Sequence, residues 1–173
     1  MKSFLRKLLA TSLISLVICA AVGILANSKF VNSCEVYLVR AAQATNPEVA
    51  QNNLFLAMKY LANNNLTGGT IKNSSGSINN IGIWYDKLDA LETELLMITP
   101  YSDQITRANV IAKTKDVLLS KSSSLVNTEI YHPVGISLYP YNTIYSIWVF
   151  VSLLFVFVIL IILIPSDPWM RRC

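Results

Sequence analysis

Few side chains in this sequence are equipped for chemistry, and their spacing limits what they can do. The single histidine, His132, stands beside Pro133, with Glu129 as its nearest carboxylate. Such a pair acts as acid–base or metal ligand only when further groups join it, and no cysteine lies near. Cys19, Cys34 and Cys173 are scattered, without the spacing of a metal site or of an intramolecular disulfide framework. Cys34 reads as a small buried apolar residue; the alternative is an intermolecular disulfide. Asp86, Asp89, Glu92 and Glu94 form a carboxylate cluster. At helical spacing they spread around a solvated face, near a helix start where acids suit the dipole, rather than converging on a cation. Asn65-Leu66-Thr67 and Asn73-Ser74-Ser75 match glycosylation acceptors, which matter only in a host that modifies them. The sequence has no phosphate-binding glycine loop, nucleophile elbow or HExxH helix. The expectation is no enzyme, with no catalytic, metal-binding or cofactor-binding residue.

The elements that carry these residues are set by hydropathy. The chain is 53% hydrophobic and only 14% charged, too apolar for an ordinary soluble domain. Its net charge of +4 invites a nucleic-acid reading, but the positions of the charges exclude it. Lys2, Arg6, Lys7, Arg171 and Arg172 lie at the two ends, opposed there by Asp167 alone. The nine basic and nine acidic residues between them cancel. Excess positive charge flanking apolar segments is a topology signal that keeps those ends cytoplasmic.

Thr143–Ile164 runs 22 residues without charge, Gly or Pro. As a helix it reaches about 33 Å, enough for a hydrocarbon core of about 30 Å. Leu8–Ala26 is a second apolar segment, read as an uncleaved anchor; the alternative is a cleaved signal peptide. Thr11, Ser15, Cys19, Gly23 and Asn27 recur every four residues along it. Small residues on one face let another helix approach closely, so Ser15, Cys19 and Gly23 form a candidate helix-packing interface. Its occupant is the second crossing, another copy or another protein. Neither crossing carries an ionisable side chain other than Cys19 and Tyr145, so no proton or ion path is expected.

Residues 27–142 suit one compact domain beyond the membrane. Four amphipathic helices are predicted over about 28–45, 47–64, 82–99 and 102–121. Asn46-Pro47-Glu48 supplies a cap, a first-turn proline and an early acid, while Thr99-Pro100 ends the third helix. Trp84, Leu88, Leu91, Leu95 and Ile98, at 4-3-4-3 spacing, form the expected bundle seam. On the fourth helix Ile105, Ala108, Ala112 and Leu119 are the expected buried stripe, with Val110 and Val117 opposite. The Asn/Ser/Gly-rich connection 64–82 either holds a hairpin around Ser74-Ser75-Gly76 or is mobile. Ser122–Asn142 reads as an interfacial loop. Tyr139, Tyr141, Tyr145 and Trp148 mark the entry to the second crossing and Trp169 its exit, as membrane-interface anchors. The fold class is therefore all-α: two transmembrane helices flanking an extracytoplasmic up-down four-helix bundle, with a cytoplasmic tail from residue 165.

Several stretches taken together carry a resemblance: Ala41-Ala42, Ala50, Tyr60-Leu61 and Asn65-Leu66-Thr67-Gly68, then Trp84-Tyr85 with Leu88, then Pro133-x-Gly135-Ile136 and Asn142-Thr143. Their order resembles uncharacterised two-pass membrane proteins of bacteria, cyanobacteria among them. The resemblance implies an inner or thylakoid membrane and brings no activity, cofactor or site residue with it. The plan also looks like the sensory part of chemoreceptors. It departs from them in the proline-containing loop before the second crossing and in the eight or nine residues after it, where no signalling domain is expected. The function expected is a non-enzymatic accessory or scaffold subunit of a bacterial membrane assembly, docking through the Ser15–Cys19–Gly23 face and the bundle. Its partners are the bilayer and either other membrane subunits or copies of itself, with no nucleic acid and no cofactor. The alternative is an extracytoplasmic ligand-binding or stress-sensing module acting through a separate signalling partner.

Overall fold

The computed structural model describes residues 2–72, 78–119 and 130–163. They form helices α1 (Lys2–Phe30), α2 (Val36–Gln43), α3 (Pro47–Asn63), α4 (Ile81–Leu96), α5 (Gln104–Leu118) and α6 (Asn142–Leu163). A π-helical turn, Val31–Glu35, joins α1 to α2, strands β1 (Thr70–Lys72) and β2 (Ile78–Asn80) lie between α3 and α4, and a 3₁₀ turn spans Ile136–Leu138. The chain divides into two compact units, one of Met1–Ala26 with Tyr141–Cys173 and one of Asn27–Pro140.

The first unit is a pair of helices whose faces are set by one pattern. On α1 the residues withdrawn from the surface include Leu9, Ser12, Leu16, Cys19, Gly23 and Ala26, at 3-4-3-4-3 spacing. On α6 they are Asn142, Tyr145, Val149, Ser152, Val156 and Ile159, at the same spacing. Seven-residue repeats of this kind keep a seam in register along two helices. Two helical stretches, Lys7–Gln43 and Asn142–Ile162, are long and apolar enough to cross a membrane.

In the second unit α2 packs on α3 and α5, α3 packs on α4 and α5, and α4 packs on α5. Asn46 caps α3 by accepting the Glu48 amide at 3.0 Å, with Pro47 in the first turn. The far end of α3 closes with Asn65 in the left-handed region (φ 56°) and the Leu66 amide donating to the Leu61 carbonyl at 2.8 Å. Leu61 and Leu66 are both buried, giving the hydrophobic contact that accompanies this kind of helix stop. Asn80 caps α4 through the Ile83 amide, and Asp103 caps α5 through the Thr106 amide at 2.7 Å and the Thr106 hydroxyl at 2.6 Å. These two hydrogen bonds hold the Asp103 carboxyl below the usual carboxylate range.

Three details differ from the sequence expectation: the end of α4, the place of Ile98 and the face that α5 buries. Helix α4 stops at Leu96, because Thr99 precedes Pro100 and is pushed out of helical conformation. Ile98 consequently lies beyond the helix and is half-buried, whereas Trp84, Leu88, Leu91 and Leu95 are buried along it. Helix α5 turns its other side inward: Thr114 and Leu118 are buried, with Val110, Ile111 and Val117 packed beside them. Ile105 is 74% exposed, and Ala108 and Ala112 are exposed too, whereas Leu119, just past the helix end, packs against the core. The branched face wins because it removes more apolar surface from water than two alanine methyls do. Thr114 enters the core at little cost, since its hydroxyl donates to the Val110 carbonyl at 2.8 Å. The connection after α3 does form an antiparallel ribbon, Thr70 opposite Asn80 and Lys72 opposite Ile78; residues 73–77, with the second glycosylation acceptor, lie outside the described residues.

Residues 130–140 strap the second unit and are more than a surface connection. Ile130 and Ile136 are buried, and the Tyr131 amide donates to the Leu118 carbonyl at 2.9 Å. The buried Trp84 indole donates to the Tyr131 carbonyl at 3.0 Å. At the strap's end the Tyr139 hydroxyl lies over Gly69, whose φ is 102°, where a Cβ would sit 2.0 Å from that oxygen. Gly69→Ala therefore meets both backbone strain, about 1–3 kcal/mol, and a steric block. Gly68 has open space around it. Thermal unfolding of the purified chain is expected to fall by several degrees for Gly69→Ala and by far less for Gly68→Ala; equal shifts would show that the strap is not seated on Gly69.

Candidate functional site

The densest set of specific polar contacts lies between α1 and α6. The Ser12 hydroxyl donates to the Ser152 carbonyl at 3.0 Å, and the Ser15 and Ser152 hydroxyls are 3.1 Å apart. The Trp148 indole donates to the Ser15 hydroxyl at 3.0 Å, and the Tyr145 hydroxyl to the Cys19 carbonyl at 3.1 Å. One turn further along α1, a Cβ on Gly23 would sit 2.6 Å from the Tyr145 hydroxyl oxygen. As numbers rise along α1 their partners fall along α6, so the helices run antiparallel. Ser152 and Cys19 are buried, as is Ile159 at the far end of the seam.

This is where the structure places Ser15, Cys19 and Gly23: against the chain's own second apolar helix. Of the three occupants open from the sequence, the seam holds the first. Thr11 and Asn27, the outer members of the four-residue stripe, are exposed, and Thr11 hydrogen-bonds its own helix at the Leu8 carbonyl. Ser12 and Ser152 are seam residues that the four-residue reading of α1 passed over. Ser152 is a lone small polar residue within a long apolar run, and its position seven residues after Tyr145 was the available signal.

The predicted interface aromatics divide among different tasks. Tyr145 and Trp148 spend their polar tips on α1 rather than leaving them free. Tyr141 is exposed, while Tyr139 packs against the core of the second unit. Trp169 lies outside the described residues, as do Cys173 and Glu129.

The reactive side chains of the second unit are turned toward packing. The His132 ring meets the buried Phe30 ring edge-on, centroids 5.3 Å apart, and Phe30 also meets Tyr60 edge-on at 6.3 Å. Cys34 is fully buried with its sulfur 3.9 Å from the Ala57 carbonyl. The carboxylate cluster disperses: Asp86 and Asp89 are exposed, and Glu94 pairs with Lys113 across from α5. Glu92, half-buried, has its carboxyl pushed up by burial and secondarily by the Asp89 charge. Among the described residues no three His, Cys, Asp or Glu side chains are grouped to hold a metal. The interior between α2, α3, α4 and α5 is filled by apolar side chains. One groove of about 590 Å³ lies beside α5 with Thr45, Ser102, Gln104, Arg107 and Lys115 on its walls, and another of about 550 Å³ reaches the buried Trp84 and Leu88 between Lys87, Asp116 and Tyr131.

No protein-family model, curated protein or solved structure matches the chain.

Tight approach at Gly23 yields a paired prediction. Gly23→Ala is expected to lower the melting temperature of the detergent-solubilised chain. Tyr145→Phe in the same chain should recover most of the loss, because the nearest remaining ring atom would stand at 3.3 Å. The single Tyr145→Phe change forfeits one interhelical hydrogen bond, worth about 0.6 kcal/mol in a membrane helix pair. Additive losses in the double variant would place Tyr145 elsewhere than over Gly23.

Proposed function

We propose that the chain is a non-enzymatic accessory or scaffold subunit of a bacterial membrane assembly. It is a two-pass protein with cytoplasmic ends and an extracytoplasmic domain built as an up-down four-helix bundle. The carrying observation is the solid interior of that domain. Among its described residues Thr114 is the polar side chain taken fully into the core, and it is satisfied within its own helix. A core without converging polar groups supports a body that presents surfaces over one that encloses a ligand. The buried thiol of Cys34 and the edge-on packing of His132 against Phe30 support the non-enzymatic reading.

The sequence pointed to the Ser15–Cys19–Gly23 face for docking; α6 already covers it. Docking in this proposal moves to the domain surface. The lipid would meet the outward sides of the two helices, where Val17, Ile24, Leu25, Phe150 and Phe157 are exposed. The second reading, a ligand-binding or sensing module working through another protein, draws support from the groove beside α5. There Arg107 and Lys115 stand among hydroxyl and amide groups with no carboxylate on the walls.

Purification of the tagged full chain from native membranes in mild detergent, with quantitative identification of what accompanies it, tests the proposal. Stoichiometric membrane subunits are expected, and a solitary chain in every detergent would overturn it. Topology has its own check. Fluorescent-protein fusions at either end should be bright and alkaline phosphatase fusions there inactive, while a phosphatase inserted within residues 73–77 should be active. The opposite pattern would place the domain in the cytoplasm.

A further inference from the structure

One side of α5 carries cations with which no carboxylate of the described residues pairs. Lys113 is paired, with Glu94 of α4, but Arg107 and Lys115 are not. Both lie on the groove of about 590 Å³ that α5 forms with Thr45 and Pro47, and between them its floor is apolar: Pro47, Ala108, Ile111 and Ala112. The two alanines reach the groove because α5 buries its branched face, and their methyls leave space that a longer side chain would fill. Arg107 donates to the Pro100 carbonyl at 3.5 Å, which engages one of its five donors. A second groove, of about 330 Å³, also has Thr45 on its walls and adds Arg40, with Gln43 and Asn53. No carboxylate lines either groove. The adjoining acids stand off these walls. Asp103 stays charged, with its oxygens on Thr106; Asp116 lines the other groove, with Trp84; and Glu48 is exposed in the first turn of α3.

We infer that this groove docks an acidic segment of a companion subunit, laid extended along α5 with an apolar side chain between two carboxylates. Charge selects the occupant, because a strip of cations without acids accepts an anionic partner and rejects a basic one. Spacing selects its form. Arg107 and Lys115 are eight residues apart, about 12 Å along the helix. In an extended chain, residues four apart are separated by about 13 Å and face the same way, with the middle residue between them on that side. A segment of the pattern acid–x–apolar–x–acid therefore sets both carboxylates against the cations and its central side chain on the alanine floor. A small molecule with a single acid group reaches one cation only, and an open groove leaves much of it in water, whereas small-molecule sites bury most of their ligand. This inference rests on the scaffold reading proposed above and gives its docking partner a chemistry.

The test is photo-cross-linking in native membranes, with Ala112 of the full chain replaced by benzoylphenylalanine and the adduct sequenced by mass spectrometry. The expected adduct is a segment of another membrane protein with acids on both sides of an apolar residue. Lys115→Glu and Arg107→Glu should each cut its yield at least tenfold. Lys87→Glu, the same charge reversal on the groove at Trp84, should leave the yield within twofold. Lys115 is exposed and outside any ion pair of the described residues, so its substitution is expected to leave the melting transition in place. The inference is overturned by no adduct, by an adduct to lipid, to another copy of the chain or to a segment without acids, or by a yield that Lys115→Glu does not lower. Stoichiometric subunits that still accompany the chain in that event would leave the scaffold reading standing; a solitary chain would overturn both.

Discussion

Tyr145 lies across Gly23 at a distance that only a residue without a side chain permits, and the arrangement of the two apolar helices depends on that approach. A seam made only of Leu and Val would have little preference for itself over lipid, because acyl chains are equally apolar. What gives the pair a register is the succession of oxygen and nitrogen atoms along it: Ser12 to Ser152, Ser15 to Ser152 and Trp148, Cys19 to Tyr145. In a helix pair that crosses a bilayer, a contact of this kind is worth only about 0.6 kcal/mol on average. Sliding α6 by one residue would break them together and drive Tyr145 into the next side chain of α1. Close packing at glycine and hydrogen bonding along the seam thus select the same alignment.

The second unit solves the corresponding problem in a different way. Its four helices bury a stripe each, but the helix ends leave backbone and aromatic groups needing partners. The 130–140 strap meets those needs locally. It accepts the Trp84 indole, donates to the last carbonyl of α5, sets His132 edge-on to Phe30 and seats Tyr139 over Gly69. A residue that looks chemically active in isolation, His132, becomes an aromatic packing element. The energetic return is in the core: truncating a buried leucine such as Leu88 or Leu91 to alanine costs about 2–5 kcal/mol.

How much of this was legible in the sequence differs by element, for physical reasons. The cap at Asn46 and the stripe Trp84–Leu88–Leu91–Leu95 are local codes, and local spacing is enough to read them. Helix α5 defeats that approach because it carries apolar residues on both sides, and which side turns inward depends on neighbours that spacing cannot represent. The strap has no period at all; its burial arises from long-range contacts to Trp84, Phe30 and Gly69. On α1 the small-residue face was visible, but its partner was not. The matching pattern on α6 is written in residues as unlike as Tyr145, Ser152 and Ile159, and uniform hydrophobicity hides their common face. Tyr145 and Trp148 illustrate the same loss of information, since an aromatic near a helix end satisfies the rule for a membrane interface equally well when its polar tip is bonded to another helix.

These two closures together constrain where specificity toward other molecules can reside. A helix pair that satisfies its own polar groups shows outward faces of Ile, Leu, Val and Phe, and such faces distinguish poorly between lipid and any other apolar helix. Among the described residues the core of the second unit is apolar, and its buried Thr114 is bonded within its own helix, so polar groups do not converge there. What remains is the surface of the second unit, where side-chain chemistry varies sharply over short distances. The apolar turn between α4 and α5 stands beside a groove with Arg107 and Lys115, and Asp86 and Asp89 are exposed along α4. Discrimination between partners needs such contrast, because a wrong partner is rejected chiefly by charges left unmatched and apolar groups left wet. Cys34 and His132, the side chains that look most reactive in the sequence, are thus packed against Ala57 and Phe30, while the sharpest chemical contrasts of the described surface lie along α4, α5 and the turn between them.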